Sequence, residues 1–194
     1  MKGNKNAVGL LYTTAVVIAF AVIFCAVFAP LLAPYDPSAV SPEEVLEHSS
    51  AAHWLGTDAL GRDILSRVIY GARSSVSFAF CSAFCTMVLG LSLGMVSGYF
   101  GGLADKSVQC LVALFQGLPG TSLMIAIAAI LPENDFRIII ALTLTSWTGF
   151  SRIVRNEVLR IKGETYMEGI RSIGAGHQYI LSKYVFPNLL PVLI

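Results

Sequence analysis

Charge is what this chain has little of. Only 13% of its residues are Asp, Glu, Lys or Arg, about half of the roughly 25% typical of soluble domains. The formal net charge is +1, so no basic surface stands out and no nucleic-acid partner is expected. Ionisable groups are missing from the middle of the first three apolar runs, whereas ion-coupled carriers bury such groups to bind or relay the coupling ion. Ion-driven transport by this chain alone is therefore disfavoured. Cysteines number four, and Cys25, Cys81, Cys85 and Cys110 all fall in apolar runs, where a thiol behaves as a small hydrophobe. Neither a disulfide framework nor a metal-ligand spacing follows. His48, His53 and His177 form no ligand pair at helical spacing and read as surface histidines. A glycine pair precedes Lys106-Ser107, but Asp105 stands where a phosphate loop needs its last glycine, which rules out that nucleotide motif.

Apolar sequence fills the chain instead. Hydrophobic residues make up 55% and the mean hydropathy is +0.71. Residues 6–35, 74–104 and 107–132 are nearly uncharged, and each exceeds the roughly 20 residues that a helix needs to cross the hydrocarbon core. A fourth run, 138–151, becomes long enough when Phe136 and the stems of Arg152 and Arg155 are included. The expected fold is all-α, a polytopic transmembrane helical bundle. Four complete spans are expected near 7–33, 76–98, 107–131 and 137–154, followed by the start of a fifth. The first run is too long for the roughly 7 to 15 apolar residues of a cleaved signal, so it reads as a retained anchor.

Orientation follows the basic residues. With residues 1–6 in the cytoplasm, four spans leave Lys2, Lys5, Lys106, Arg152, Arg155, Arg160, Lys162, Arg171 and Lys183 inside. Only Arg62, Arg67, Arg73 and Arg137 fall outside, in keeping with the positive-inside bias. The acidic residues lean outward, among them Asp36, Glu43, Glu44, Glu47, Asp58, Asp63, Glu133 and Asp135.

Pro30, Pro34, Pro37 and Pro42 end the first span, and an outer loop, 34–73, comes next. Thr57 or Asp58 is placed to cap a helix with Leu60, Ile64 and Val68 on one face. Asp58 with Arg62 and Asp63 with Arg67 are acid-before-base pairs at four-residue spacing. The pattern predicts an amphipathic helix at the outer interface or a solvated loop helix. In the second span Gly90, Gly94 and Gly98 form a flat strip suited to close helix packing. Gly117-Leu118-Pro119-Gly120 predicts a kink or unwinding in the third span.

The segment 160–186 is charged and amphipathic. Tyr166, Ile170 and Ile173 fall on one face of a short helix, with Glu164, Glu168, Arg171 and Ser172 on the other. Gly174-Ala175-Gly176 is a stop signal. A second short helix is expected over 177–185, pairing Ile180 with Tyr184 and Leu181 with Val185, before Pro187 opens the next apolar run. Apolar faces exposed there need cover from headgroups, from the chain's own spans or from a partner's groove.

The spacing of Glu168, Gly174 and Pro187 resembles the cytoplasmic-loop signature of permease subunits in ATP-binding-cassette importers. In that signature a Glu-Ala-Ala triplet precedes a glycine and, after nine residues, a hydrophobic-any-Leu-Pro group. The chain departs from it at Gly169, Ile170, Tyr184 and Phe186. His53-Trp54-Leu55-Gly56-Thr57-Asp58, then Gly61-Arg62-Asp63 and Ser66-Arg67, resemble the segment before the second span of peptide and nickel permeases. Trp147, Arg152, Arg155 and Asn188 extend the likeness. The resemblance implies a permease domain over 7–194 in a multi-pass inner-membrane protein. It implies a second permease subunit, two cytoplasmic ATPases and an external substrate-binding protein as partners, besides the bilayer. ATP and Mg then belong to the partner ATPases, with no cofactor, metal or catalytic residue in this chain. ATPase coupling falls to Glu164, Tyr166, Glu168, Gly169, Ile170, Arg171, Gly174 and Pro187; the outer-loop motif comprises Trp54, Gly56, Thr57, Asp58, Gly61, Arg62, Asp63 and Arg67. The breadth of the family it resembles implies a peptide cargo, with nickel or a nickel chelate as the other candidate. Permeases of this family continue through two more spans, so a truncated, non-transporting anchor subunit is the alternative expectation.

Overall fold

A computed structural model of the chain describes residues 3–134 and 136–193. Lys2 and Asp135, which the charge bias assigns to opposite sides of the membrane, lie outside the described residues. Among the described residues every regular element is helical, apart from one isolated bridge between Thr57 and Asp63. The all-α class follows. Two compact units divide the chain, Met1–Ala79 and Phe80–Ile194.

In the first unit, α1 (Gly3–Val27) contains the apolar stretch Gly9–Val27, long enough to cross a membrane. Its side chains from Gly9 to Phe24 are exposed all round, as expected of a helix whose solvent is lipid. A single turn, α2 (Ala29–Leu32), carries Pro30 near its start, where the missing N–H costs nothing.

The next helix starts later than its sequence suggests. α3 runs Ile64–Phe100 without a break, so the expected outer-loop helix and the second span are one element. Thr57 and Asp58 are not its cap. Asp63 is: its Oδ2 accepts the Ser66 N–H at 2.7 Å, satisfying a donor that the first helical turn leaves unpaired. Leu60 lies in the turn before the helix and does not share a face with Ile64 and Val68. At 37 residues α3 is about 55 Å long, well beyond a hydrocarbon core of about 30 Å.

In the second unit, α3 ends at Phe100 and is followed by Gly101 and Gly102, two successive residues with positive φ of 68° and 54°. Glycine adopts that conformation without a Cβ clash, and the chain reverses directly into α4 (Gly102–Gln116). The expected kink at Pro119 is a full break. α4 and α5 (Gly120–Ile130) meet at 93°, and only together do they suffice for one crossing. α6 (Phe136–Lys162) then runs 27 residues over the fourth expected span and past Arg152 and Arg155, and it is not among the described helices that are long and apolar enough to cross a membrane. Its buried positions are Ala141, Trp147, Thr148, Ser151, Val154, Val158 and Ile161; from Thr148 onward they recur at three- and four-residue spacing and make one stripe.

That stripe meets the glycine strip. A Cβ added at Gly94 would lie 2.7 Å from the Ser151 carbonyl oxygen and 2.8 Å from Val154 Cβ. At Gly98 it would lie 2.8 Å from Val158 Cβ, and at Gly90 2.8 Å from the Phe150 ring. The backbones of α3 and α6 approach closely because no side chain separates them.

Candidate functional site

After α6 the chain turns at Gly163 into α7 (Thr165–Ser172). The apolar face of α7 is not the expected one. Met167 is fully buried and Ile170 half-buried, whereas Tyr166 and Ile173 are exposed, Ile173 at 84%. Met167 joins Val154, Val158 and Ile161 of α6 in one core, so the helix is pinned by Met167 and Ile170, three residues apart. Tyr166, Glu168, Gly169, Arg171, Ser172 and Ile173 are left outward.

The stop at Gly174 has the geometry of a Schellman motif. The Gly174 N–H donates to the Arg171 carbonyl at 3.0 Å and the Ala175 N–H to the Ile170 carbonyl at 3.3 Å, while Gly174 takes φ of 80°. Glu164 enters the helix extended and makes no side-chain cap. Its carboxylate accepts from Arg160 at 3.2 Å, and Arg160 also bridges to Glu157.

Pro187 changes the helical register of the turn before it. α8 (His177–Ile180) continues through a π-helical turn, Leu181–Val185, into α9 (Phe186–Leu193). The Phe186 N–H bonds the Leu181 carbonyl, five residues back. The physical cause is that proline cannot donate and its ring crowds the carbonyl four residues earlier, so the turn widens. Ile180, Val185 and Leu189 are consequently the buried set. The expected pairs Ile180–Tyr184 and Leu181–Val185 are off by one residue.

Two polar anchors surround this segment, and neither stood out in the sequence. Arg155 clamps Asp105 with both forks at 2.6 Å, and the Ser97 hydroxyl donates to the same carboxylate at 2.5 Å. A hydrogen bond of 2.9 Å joins the Tyr99 hydroxyl to His177 Nδ1, and Lys162 Nζ donates to the Tyr99 carbonyl at 2.8 Å. The one sequence signal for Asp105 was an acid beside an inner-loop lysine.

The outer-loop motif folds on itself within the first unit. Asp58 accepts from Arg62 at 2.8 Å and also pairs with Arg67, so the expected Asp63–Arg67 pair is replaced. Asp63 instead takes His53 Nδ1–H at 3.0 Å. His53 is 4% exposed, a correction to its reading as a surface residue. The bond to Asp63 lifts the His53 pKa above its ordinary 6.5 against the opposing pull of burial, and the nearby Glu44 charge adds to the rise. Burial pushes the Asp63 carboxyl up, but Ser66 and His53 together hold it below the ordinary range. Asp58 is lowered chiefly by Arg62. Thr57 Oγ1 accepts from the Glu47 N–H at 2.9 Å and donates to the Glu44 carbonyl. Gly56 and Gly61 take φ of 74° and 72°, and a Cβ at either would strike the Glu47 or Ser41 carbonyl oxygen. The motif thus builds a rigid loop whose charges are spent internally, with Trp54 left 71% exposed.

Known proteins share this arrangement of sequence. Residues 90–194 match the family model described as binding-protein-dependent transport system inner membrane component. The chain is 35% identical over 188 residues to the oligopeptide transport system permease protein OppC of Bacillus subtilis (strain 168), covering 96% of this chain and 60% of that protein. Identity is 36% over 183 residues to the glutathione transport system permease protein GsiD of Pectobacterium atrosepticum, covering 94% and 58%. It is 34% over 194 residues to the dipeptide transport system permease protein DppC of Bacillus subtilis (strain 168), covering 100% and 59%. The chain spans about three fifths of the length of these relatives. With the matched model covering α6 and the whole segment through α9, the chain belongs to the family of binding-protein-dependent transport system inner membrane components.

Proposed function

We propose that the chain is a permease subunit of an ATP-driven importer whose cargo is a peptide, and that 160–186 is the handle by which cytoplasmic ATPases move it. The observation that carries this reading is the split character of α7. Met167 is sunk into the core, while Glu168 and Arg171 of the same eight-residue helix and Ile173 just after it are exposed. A short helix clamped from behind and polar-apolar in front suits a groove on a partner. Clamping matters mechanically, because a handle transmits force only if it cannot rotate on its own base.

Residues 1–6 are assigned to the cytoplasm by the basic-residue bias, which puts α7 on the same side and the His53–Asp63 loop outside. A second permease subunit completes the path, and an external binding protein delivers cargo. ATP and Mg are held by the ATPases. Peptide is preferred to nickel because the three relatives are named for oligopeptide, dipeptide and glutathione transport.

The test is Glu168→Lys combined with Gly174→Asp. The first reverses an exposed charge and the second puts a side chain at a left-handed position, so ATPase co-purification and uptake should both fall. Unchanged peptide uptake in the double variant refutes the handle.

A further inference from the structure

The segment 163–176 touches the rest of its unit mainly through apolar contacts. Met167 slots among Val154, Val158 and Ile161, which holds α7 against α6 but has no directional preference. Beyond α6 the directional contact among the described residues is at His177, the first residue of α8. Its Nδ1 is bonded to the Tyr99 hydroxyl at 2.9 Å, and its ring meets Tyr99 edge-on at 5.6 Å and Phe100 at 6.0 Å. Tyr99 is itself 4% exposed, so it offers a docking partner little surface of its own.

Tyr99 occupies a particular place on α3. It follows Gly98, where α3 lies so close to Val158 and the Arg155 carbonyl that a Cβ would not fit. It precedes by one residue the end of the helix at Phe100. Its carbonyl receives Lys162 Nζ, a cation on the negative end of the helix dipole. One residue therefore receives α6 on its backbone and α8 on its side chain, at the tip of a helix about 55 Å long.

Resting on the proposed coupling role of 160–186, we propose that His177 and Tyr99 are a pair of positioning residues that convert displacement of the cytoplasmic segment into displacement of α3. Hydrogen bonds hold direction, and the two neighbouring rings, Tyr99 edge-on and Phe100 tilted, restrict tilt of the imidazole. A push on α7 and α8 reaches α3 through this bond. From there it runs along the glycine strip, whose tight backbone contact with α6 leaves α3 little freedom except to move as a body.

The test compares Tyr99→Phe, His177→Ala and the double variant in the importer assembled with its ATPases in lipid vesicles. Thermal stability, ATPase content, and peptide taken up per ATP hydrolysed are measured. Tyr99→Phe keeps the ring and loses only the buried hydroxyl. The expected result is wild-type ATPase content and a melting temperature within error of wild type, with uptake per ATP reduced several-fold. The double variant should be no worse than the more affected single variant, because both singles break one bond. Unchanged uptake per ATP in Tyr99→Phe overturns the proposal, as do losses that add in the double variant or that merely track a fall in melting temperature. A wild-type complex that carries no ATPase removes the handle reading and this proposal with it; retained ATPase with unaltered uptake per ATP removes this proposal alone.

Discussion

Replacing Gly94 with Ala tests how closely α3 and α6 approach. The added Cβ would meet the Ser151 carbonyl oxygen at 2.7 Å and Val154 Cβ and Cγ1 at 2.8 and 2.9 Å. Carbon atoms rest at about 3.5–4.0 Å, so α6 must retreat by roughly 1 Å. Neither obstacle yields cheaply, since one is backbone and the other a β-branched side chain with one favoured rotamer. Overpacking of this kind costs about 1–3 kcal/mol, and the better helix propensity of Ala returns about 0.5–1 kcal/mol. Gly149 is the control, on α6 with open space around its Cβ position. Gly149→Ala keeps the propensity gain and meets nothing, so it should be neutral or stabilising. The expected gap between the two variants is about 1–3 kcal/mol. Unfolding by SDS in mixed micelles measures it, followed by fluorescence of Trp147, which is buried and packs edge-on against Phe115 at 5.8 Å. A Trp54→Phe background leaves Trp147 the sole tryptophan among two. Equal stability of Gly94→Ala and Gly149→Ala refutes the close approach.

Gly174→Ala puts a Cβ at φ of 80°, which costs about 1–2 kcal/mol; hydrogen exchange of the 165–172 amides should quicken while that of α6 amides holds. Arg155→Lys loses the two-pronged grip on Asp105, whose partners are each about a quarter exposed. The expected cost is about 1–2 kcal/mol, between the ranges for surface and buried pairs, measured by the same SDS titration. In the loop that holds His53 and Asp63 the raised His53 pKa means that its contribution is complete below pH 6.5 and is lost as pH rises through the folded value. Asp63, lowered from 3.8, contributes fully above that value and loses its share as pH falls through the lower folded one. The loop is thus tightest between about pH 4 and 6.5. Carbon-13 NMR of His53 should show a pKa above 6.5 that drops in Asp63→Asn; no drop contradicts the pairing.

Much of the architecture was legible because small residues advertise themselves. Gly90, Gly94 and Gly98 form the flat strip that close helix packing needs, and Gly174 marks a stop whose cause is the absent Cβ. Hydropathy located the apolar helices for the same elementary reason. Register within short helices was harder. Over so short a helix, Tyr166-Ile170-Ile173 and Met167-Ile170 are both acceptable faces sharing Ile170, and periodicity alone does not decide between them. The five-residue step from Ile180 to Val185 was hidden because a pattern search assumes α periodicity, whereas Pro187 forces a wider turn. His53 was misplaced because its partners, Glu44 and Asp63, lie nine and ten residues away across a loop with no periodicity to reveal them. The same applies to Asp105 and Arg155, fifty residues apart.

The most direct measurement of the central claim is a photo-crosslinker placed at Ile173, the most outward apolar side chain of the segment, and activated in membranes that contain the assembled importer. The account predicts a covalent adduct with a cytoplasmic ATPase subunit that weakens when Glu168→Lys is present. Adducts with phospholipid alone, unaffected by that charge reversal, would contradict it.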